Sequence, residues 1–167
     1  MKKRYLLQLG AATVGTVLLS RYLSPRSQAQ TASGEFDSNF EIVKTDAEWR
    51  RILTSEQFYV LRQHGTESPY SSPLDKQFAD GTYACAGCES PVFSSETKFN
   101  SGTGWPSFYR PIQDAIGTSE DRSLLMVRTE VHCRRCGGHL GHVFDDGPPP
   151  TGQRYCINGA ALKFIAS

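Results

Sequence analysis

Two cysteine pairs constrain the fold more than any other feature of this chain: Cys85-Ala86-Gly87-Cys88 and Cys133-Arg134-Arg135-Cys136. A C-x-x-C turn lets both sulfurs face one centre, so two such knuckles offer four thiolates to one tetrahedral zinc ion. The knuckles lie far apart in sequence, and a shared metal would tie two distant hairpins together rather than define a compact finger. Two disulfides are the alternative in an oxidising compartment. A redox-active C-x-x-C is a third reading, which two matched copies fit less well than a structural site. His139, three residues after Cys136, is a further candidate ligand.

The fifth cysteine stands alone, in Arg154-Tyr155-Cys156-Ile157-Asn158. In a strand, alternate residues share a face, so Arg154, Cys156 and Asn158 project together and Tyr155 and Ile157 project to the other side. A cation beside a thiol favours thiolate, the attacking form, which marks Cys156 as a candidate nucleophile. A small buried hydrophobe is the alternative. Upstream, "GGHLGHVFDDGPPP" holds His139 and His142 with Gly141 between them, then the turn Asp145-Asp146-Gly147. Imidazoles near a thiol can donate or accept a proton or orient a water, although each is also at home in a purely structural role. In "FNSGTGWPSF" the glycines allow tight turns. Trp105, before Pro106, offers a flat apolar face to a methyl group or a partly positive sulfur, or else fills the core.

At 167 residues the chain has room for one domain with a core. Thr45-Asp46-Ala47-Glu48 and Thr54-Ser55-Glu56-Gln57 are capping boxes, each opening a short helix. The first helix should carry Trp49 and Ile52 inward; the second should carry Phe58, Val60 and Leu61 and stop at Gly65. From Gly81 onward, short runs such as "TYAC", "PVFSS", "LLMVRTEVHC", "HVF" and "RYCIN" alternate with Gly, Pro, Asp and Ser, the pattern of a small antiparallel β domain.

The first 29 residues hold five basic side chains and no acidic one. A basic start, an apolar run from about Tyr5 to Leu19 and the small-x-small end Ser27-Gln28-Ala29 read as an export signal. Lys3-Arg4-Tyr5-Leu6-Leu7 is similar to a twin-arginine motif, a route that carries folded protein and so would let zinc load before the thiols meet oxidant. The ordinary secretory route, an uncleaved membrane anchor and an organelle transit peptide are the alternatives. The expected organisation is a signal at 1–29, a polar linker at 30–44 and a domain at 45–167. Without the leader, thirteen basic residues face seventeen acidic ones, a net of −4, which argues against nucleic-acid binding.

Taken together, "SGTGWPSFYRPI", "GGHLGHVFDDGPPPTGQRYCINGAALKF" and the two knuckles resemble the methionine sulfoxide reductases of type B, from about Thr45 to Phe164. The resemblance implies two small antiparallel sheets with structural zinc on Cys85, Cys88, Cys133 and Cys136. It also implies thiol-dependent reduction of methionine-R-sulfoxide in proteins. It makes Cys156 the nucleophile, gives His139 and His142 a part in binding or protonating the sulfoxide oxygen, and has Asp146 and Arg154 support them. Asn158 would position the reacting groups and Trp105 would hold the substrate methyl. Many relatives place a resolving cysteine in the glycine-rich segment, where this chain has Thr103. An external thiol, thioredoxin-like or small, is therefore expected as reductant, with oxidised proteins as substrates and a monomer as the working form. Gly159 stands where relatives often have serine. A zinc-stabilised module that only binds ligands, with Cys156 buried, is the rival from another class.

Overall fold

The computed structural model describes residues 40–123 and 126–167. The expected signal 1–29 lies outside them, as does the linker up to residue 39. Both capping boxes form. Thr45 and Thr54 each accept from the backbone N–H three residues on, while the Glu48 and Gln57 side chains reach back to the cap N–H. They open α1 (Asp46–Ile52) and α2 (Ser55–Gln63). Trp49, 1% exposed, is the buried residue of α1, but Ile52 is 55% exposed. Two turns of helix touch the domain along one line only, and Ile52 falls outside it. Phe58, Val60 and Leu61 are buried as predicted. The left-handed cap of α2 is His64, with φ 54°, one residue before the predicted stop at Gly65.

Among the described residues nine strands follow: β1 (Gly81–Cys85), β2 (Pro91–Ser94), β3 (Lys98–Phe99), β4 (Ser107–Phe108), β5 (Ile116–Asp121), β6 (Arg128–Cys133), β7 (His139–Phe144), β8 (Arg154–Ile157) and β9 (Leu162–Ala166). They form two antiparallel sheets, one in the order β2-β1-β9 and one in the order β3-β4-β8-β7-β6-β5. This is the mainly β architecture with short leading helices that the resemblance implies. Of "LLMV", Leu124 and Leu125 lie outside the described residues; β6 begins at Arg128, and Met126 and Val127 are exposed.

The core lies between the sheets. Tyr83 from β1, with Phe164 of β9 beside it, meets Phe108 of the larger sheet, and Phe93 from β2 meets Tyr155 and stacks on Phe108 at 4.4 Å between ring centroids. Ring pairs of this kind contribute about 1 kcal/mol beyond their burial. Val131 and Ile157 are also fully buried. Trp49 and Leu61 pack on the Cys85–Cys88 turn at Gly87. Of the expected linker, residues 40–44 are described. Ile42 N–H donates to Arg135 O at 2.9 Å, Arg135 Nε donates to Glu41 at 3.0 Å, and Phe40 meets His132 edge-on.

Candidate active site

Antiparallel pairing places directly opposed residues on one face of a sheet. In the larger sheet Asp121 opposes Arg128, Glu130 opposes His142, His142 opposes Cys156, and Phe144 opposes Arg154. The buried aromatic and aliphatic residues take the other face, so polar and reactive groups collect away from the core. Cys156 thus stands between Ser107 of β4 and His142 of β7. Gly141 makes this pairing close: a Cβ there would stand 2.1 Å from Cys156 O.

A cavity of about 140 Å³ opens over the thiol, lined by Thr66, Trp105, Arg128, Gly141, His142, Phe144, Cys156 and Asn158. Of the residues singled out from sequence, Cys156, His142, Trp105 and Asn158 meet in it. Arg154 sits beside the thiol and donates from Nε and Nη2 to both carboxylate oxygens of Asp146, each at 2.9 Å, while its guanidinium stacks on Phe144. This bidentate pairing holds the Asp146 carboxyl below its usual range.

The thiol is not held low. Burial pushes Cys156 up from its ordinary value; the charge of Arg154, a hydrogen bond with the Thr103 hydroxyl and one from Arg154 all pull the other way, and burial wins. The predicted effect of Arg154 is present but outweighed, so the resting thiol carries its proton. Thr103 stands at the sulfur itself, the place from which a second thiol could reach it.

His142 is held by Asp121: its Nε2 lies 2.8 Å from Asp121 Oδ2. Hydrogen bonds from Ser123, then from His142, together with the charge of Arg128, keep Asp121 ionised far below the usual carboxylate range. An ionised oxygen needs a donor, so Nε2 bears the hydrogen and Nδ1 is left as an acceptor. Burial, opposed by Asp121, pushes the His142 imidazole down, toward its neutral form.

His139 does not line the cavity. It is buried, 2% exposed, with Nδ1 2.6 Å from Glu130 Oε1 and its ring 5.3 Å from that of His142. Glu130 also pairs with His64 at 2.9 Å and accepts from Ser119 at 2.7 Å. Although burial opposes ionisation, these hydrogen bonds hold its carboxyl far below the usual range. His139 therefore sits behind His142, packed edge-on against its ring. Asn158 is fixed from both ends: its Nδ2 donates to Leu140 O at 3.0 Å and its Oδ1 accepts from Glu67 N–H at 3.0 Å. Glu67 in turn accepts from Gly159 and Ala160 N–H, and its own carbonyl accepts from Trp105 Nε1. One buried residue, Glu67, thereby joins the tryptophan wall through its backbone carbonyl to the turn that follows the nucleophile, which its carboxylate holds. That turn explains Gly159, since a Cβ there would lie 2.4 Å from Ser72 Cβ.

Asp121, Arg128, Glu130, Glu67, Thr66 and Phe144 escape a reading of the sequence. Only the alternation of Asp121 and Arg128 with polar neighbours hints at them, and their roles depend on strand register.

The four paired cysteines converge elsewhere. Cys85 Sγ lies 3.7 Å from Cys136 Sγ and Cys88 Sγ lies 3.5 Å from Cys133 Sγ, with all four sulfurs within 4.8 Å of one another. A tetrahedron with metal–sulfur bonds of about 2.3 Å has edges of about 3.8 Å, so the set can hold a metal ion. All five cysteines are unpaired. Hydrogen bonds among the sulfurs push Cys133 down toward thiolate and Cys85 and Cys136 up, so the four share protons unequally.

A lone cysteine at the floor of an aromatic-walled cavity, with an imidazole opposite and a cation beside it, is the site of a thiol-dependent enzyme. Residues 53–166 match the family model of the SelR domain. The chain is 54% identical over 127 residues to the peptide methionine sulfoxide reductase MsrB of Leptospira interrogans, covering 75% of this chain and 97% of that protein. It is 56% identical over 124 residues to the MsrB of Methanosarcina barkeri, covering 74% of this chain and 87% of that one. It is 52% identical over 126 residues to the chloroplastic peptide methionine sulfoxide reductase B1 of Oryza sativa, covering 75% of this chain and 59% of that one. The chain belongs to the SelR family, that of the MsrB peptide methionine sulfoxide reductases.

Proposed function

We propose that Cys156 is the nucleophile in the family's reaction, the reduction of methionine-R-sulfoxide in proteins to methionine. The observation that carries this is the opposition of Cys156 and His142 across β7 and β8, at one cavity with Trp105. The oxidised side chain enters the cavity with its methyl against Trp105 and its sulfur over Cys156. His142 Nδ1 takes the thiol proton, and Arg154, steered by Asp146, supports the thiolate so formed. The thiolate attacks the sulfoxide sulfur, the oxygen passes from that sulfur to Cys156 as the substrate's sulfur–oxygen bond breaks, and two electrons pass to the substrate sulfur. The proton returns from His142 to the oxygen, leaving methionine and a sulfenic acid on Cys156. His139 and Asn158 hold the surrounding groups in place.

With Thr103 beside the sulfur and the other four thiols gathered in the cluster, the sulfenic acid is reduced by an external thiol, thioredoxin-like or small. The cluster holds structural zinc through Cys85, Cys88, Cys133 and Cys136 and takes no part in the chemistry. The working form is a monomer. The leader 1–29 directs export to a periplasm or lumen, with membrane anchoring or an organellar destination as the alternative; mass analysis of the mature N-terminus tests cleavage, and an intact Met1 rejects it. Among the described residues no helix is long and apolar enough to cross a membrane.

The deciding experiment gives each epimer of a methionine sulfoxide peptide to the chain and to Cys156→Ser, with dithiothreitol. Reduction of the R epimer alone, abolished in the variant, is expected. A folded, zinc-loaded chain that reduces neither epimer would overturn the assignment in favour of a binding module.

A further inference from the structure

Glu67 belongs to the stretch 64–72, which carries no helix or strand and keeps its place through bonds to its neighbours. The residue is buried, and its carboxylate accepts from Gly159 N–H at 2.6 Å and from Ala160 N–H at 2.8 Å. These are the first N–H groups of the short helical turn Gly159–Ala161, whose leading residue, Asn158, makes no capping bond with its own side chain. A helical turn leaves its first N–H groups without partners, and a carboxylate is a strong acceptor for them. Because Glu67 caps the turn from 92 positions away, the Asn158 side chain is released to bond Leu140 O and Glu67 N–H and to line the cavity. Trp105 depends on the same residue. The pairing of β4 with β8 and the bond from Ile157 N–H to Pro106 O fix the main chain beside Trp105 but leave its ring free to turn. The one donor of the indole, Nε1–H, bonds Glu67 O at 3.2 Å.

We infer that Glu67 is a positioning residue for sulfoxide reduction: by clamping the turn after the nucleophile, it fixes the ring of Trp105 and the amide of Asn158 relative to Cys156. This rests on the assignment of sulfoxide reduction to the Cys156 cavity. Glu67 is not among the residues that line the cavity, so it acts on the substrate only through those two side chains. Its backbone holds the indole and its carboxylate holds the turn, so the wall and the nucleophile's strand keep one spacing as long as the carboxylate is bound. The methyl of the oxidised side chain meets the indole on binding, before any bond changes. Loss of the clamp therefore weakens binding more than it slows the chemistry.

The test compares the full-length, zinc-loaded chain with Glu67→Gln, using the R epimer of a methionine sulfoxide peptide and dithiothreitol. The amide has nearly the same shape, but it accepts through one atom only and sets its own N–H against a backbone N–H. The expected result is a KM raised by about tenfold with kcat held within about threefold, the size of one hydrogen bond lost from the bound state. Fluorine NMR of chains labelled with fluorotryptophan gives a second readout: the chain has two tryptophans, Trp49 and Trp105, and Trp105→Phe assigns their signals. Glu67→Gln should move the Trp105 signal and leave that of Trp49. Glu67→Asp keeps the charge but is one methylene short of the turn; it should give the same changes at smaller size, and it decides the matter if Glu67→Gln does not fold. An unchanged KM with an unmoved Trp105 signal overturns the inference. A fall in activity that only tracks the unfolded fraction, with both signals shifting, overturns it too, since a purely structural residue would give that. If the unsubstituted chain does not reduce the R epimer, or Cys156→Ser still does, the underlying assignment is what has failed.

Discussion

The four-cysteine cluster and the Cys156 cavity use the same side chain for opposite ends. In the cluster each sulfur faces other sulfurs, three of the four residues are buried, and no imidazole takes part. At the cavity one sulfur faces an imidazole across the strand, a guanidinium on its own strand and a hydroxyl from a glycine-rich loop. The cluster's sulfurs face one another and can hold a metal; the fifth has an imidazole, a guanidinium and a hydroxyl as neighbours and no second thiol. Chemical role here follows from neighbours, which register assigns.

The largest effect tests the cluster. Cys133→Ser should remove the metal and unfold the domain, because structural zinc contributes on the order of 10 kcal/mol or more of folding free energy. Circular dichroism and zinc content should fall together, with all four remaining thiols becoming reactive. A folded, zinc-free variant with only Cys156 reactive would break the contrast.

Next comes the charge beside the nucleophile. Burial places the Cys156 thiol above its ordinary value of 9.0. A thiol is protonated below its pKa, so alkylation of the zinc-loaded chain should keep accelerating as pH rises past 9. Arg154→Met removes the positive charge that most opposes burial and should shift that curve further up, with kcat/KM near neutrality falling by about tenfold or more. An unchanged alkylation curve would show that Arg154 serves Asp146 and Phe144 rather than the thiol.

The smallest effect concerns the turn after the nucleophile. Gly159→Ser forces Ser72 aside and should cost about 1 to 3 kcal/mol, read as a lowered urea midpoint with zinc retained. A midpoint equal to or above that of the parent would mean that the Ser72 segment yields freely.

Legibility followed the range of the interactions. The helices could be read because a capping box closes within four residues, and the face of Cys156 because alternation along a strand is local. Ile52 could not be placed, since a seven-residue helix fixes its buried side only by what it packs against. The edge strand β5, Ile116–Asp121, reads as a loop because Gly, Thr, Ser, Glu and Asp dominate it, and β3 and β4, at two residues each, carry no period at all. The knuckles announced a metal site through spacing alone. The cavity's supporting shell did not: Glu67 acts on Asn158 and Gly159, more than ninety residues away, and Glu130 and Asp121 meet their histidines only through strand pairing.

The order of strands also bears on how the chain is made. β8 lies between β4 and β7, and β9 completes the other sheet against β1, so both sheets wait for the final fourteen residues, Arg154 to Ser167. Both knuckles precede that stretch in the sequence, so the four cluster cysteines can come together before β8 brings Cys156 opposite His142.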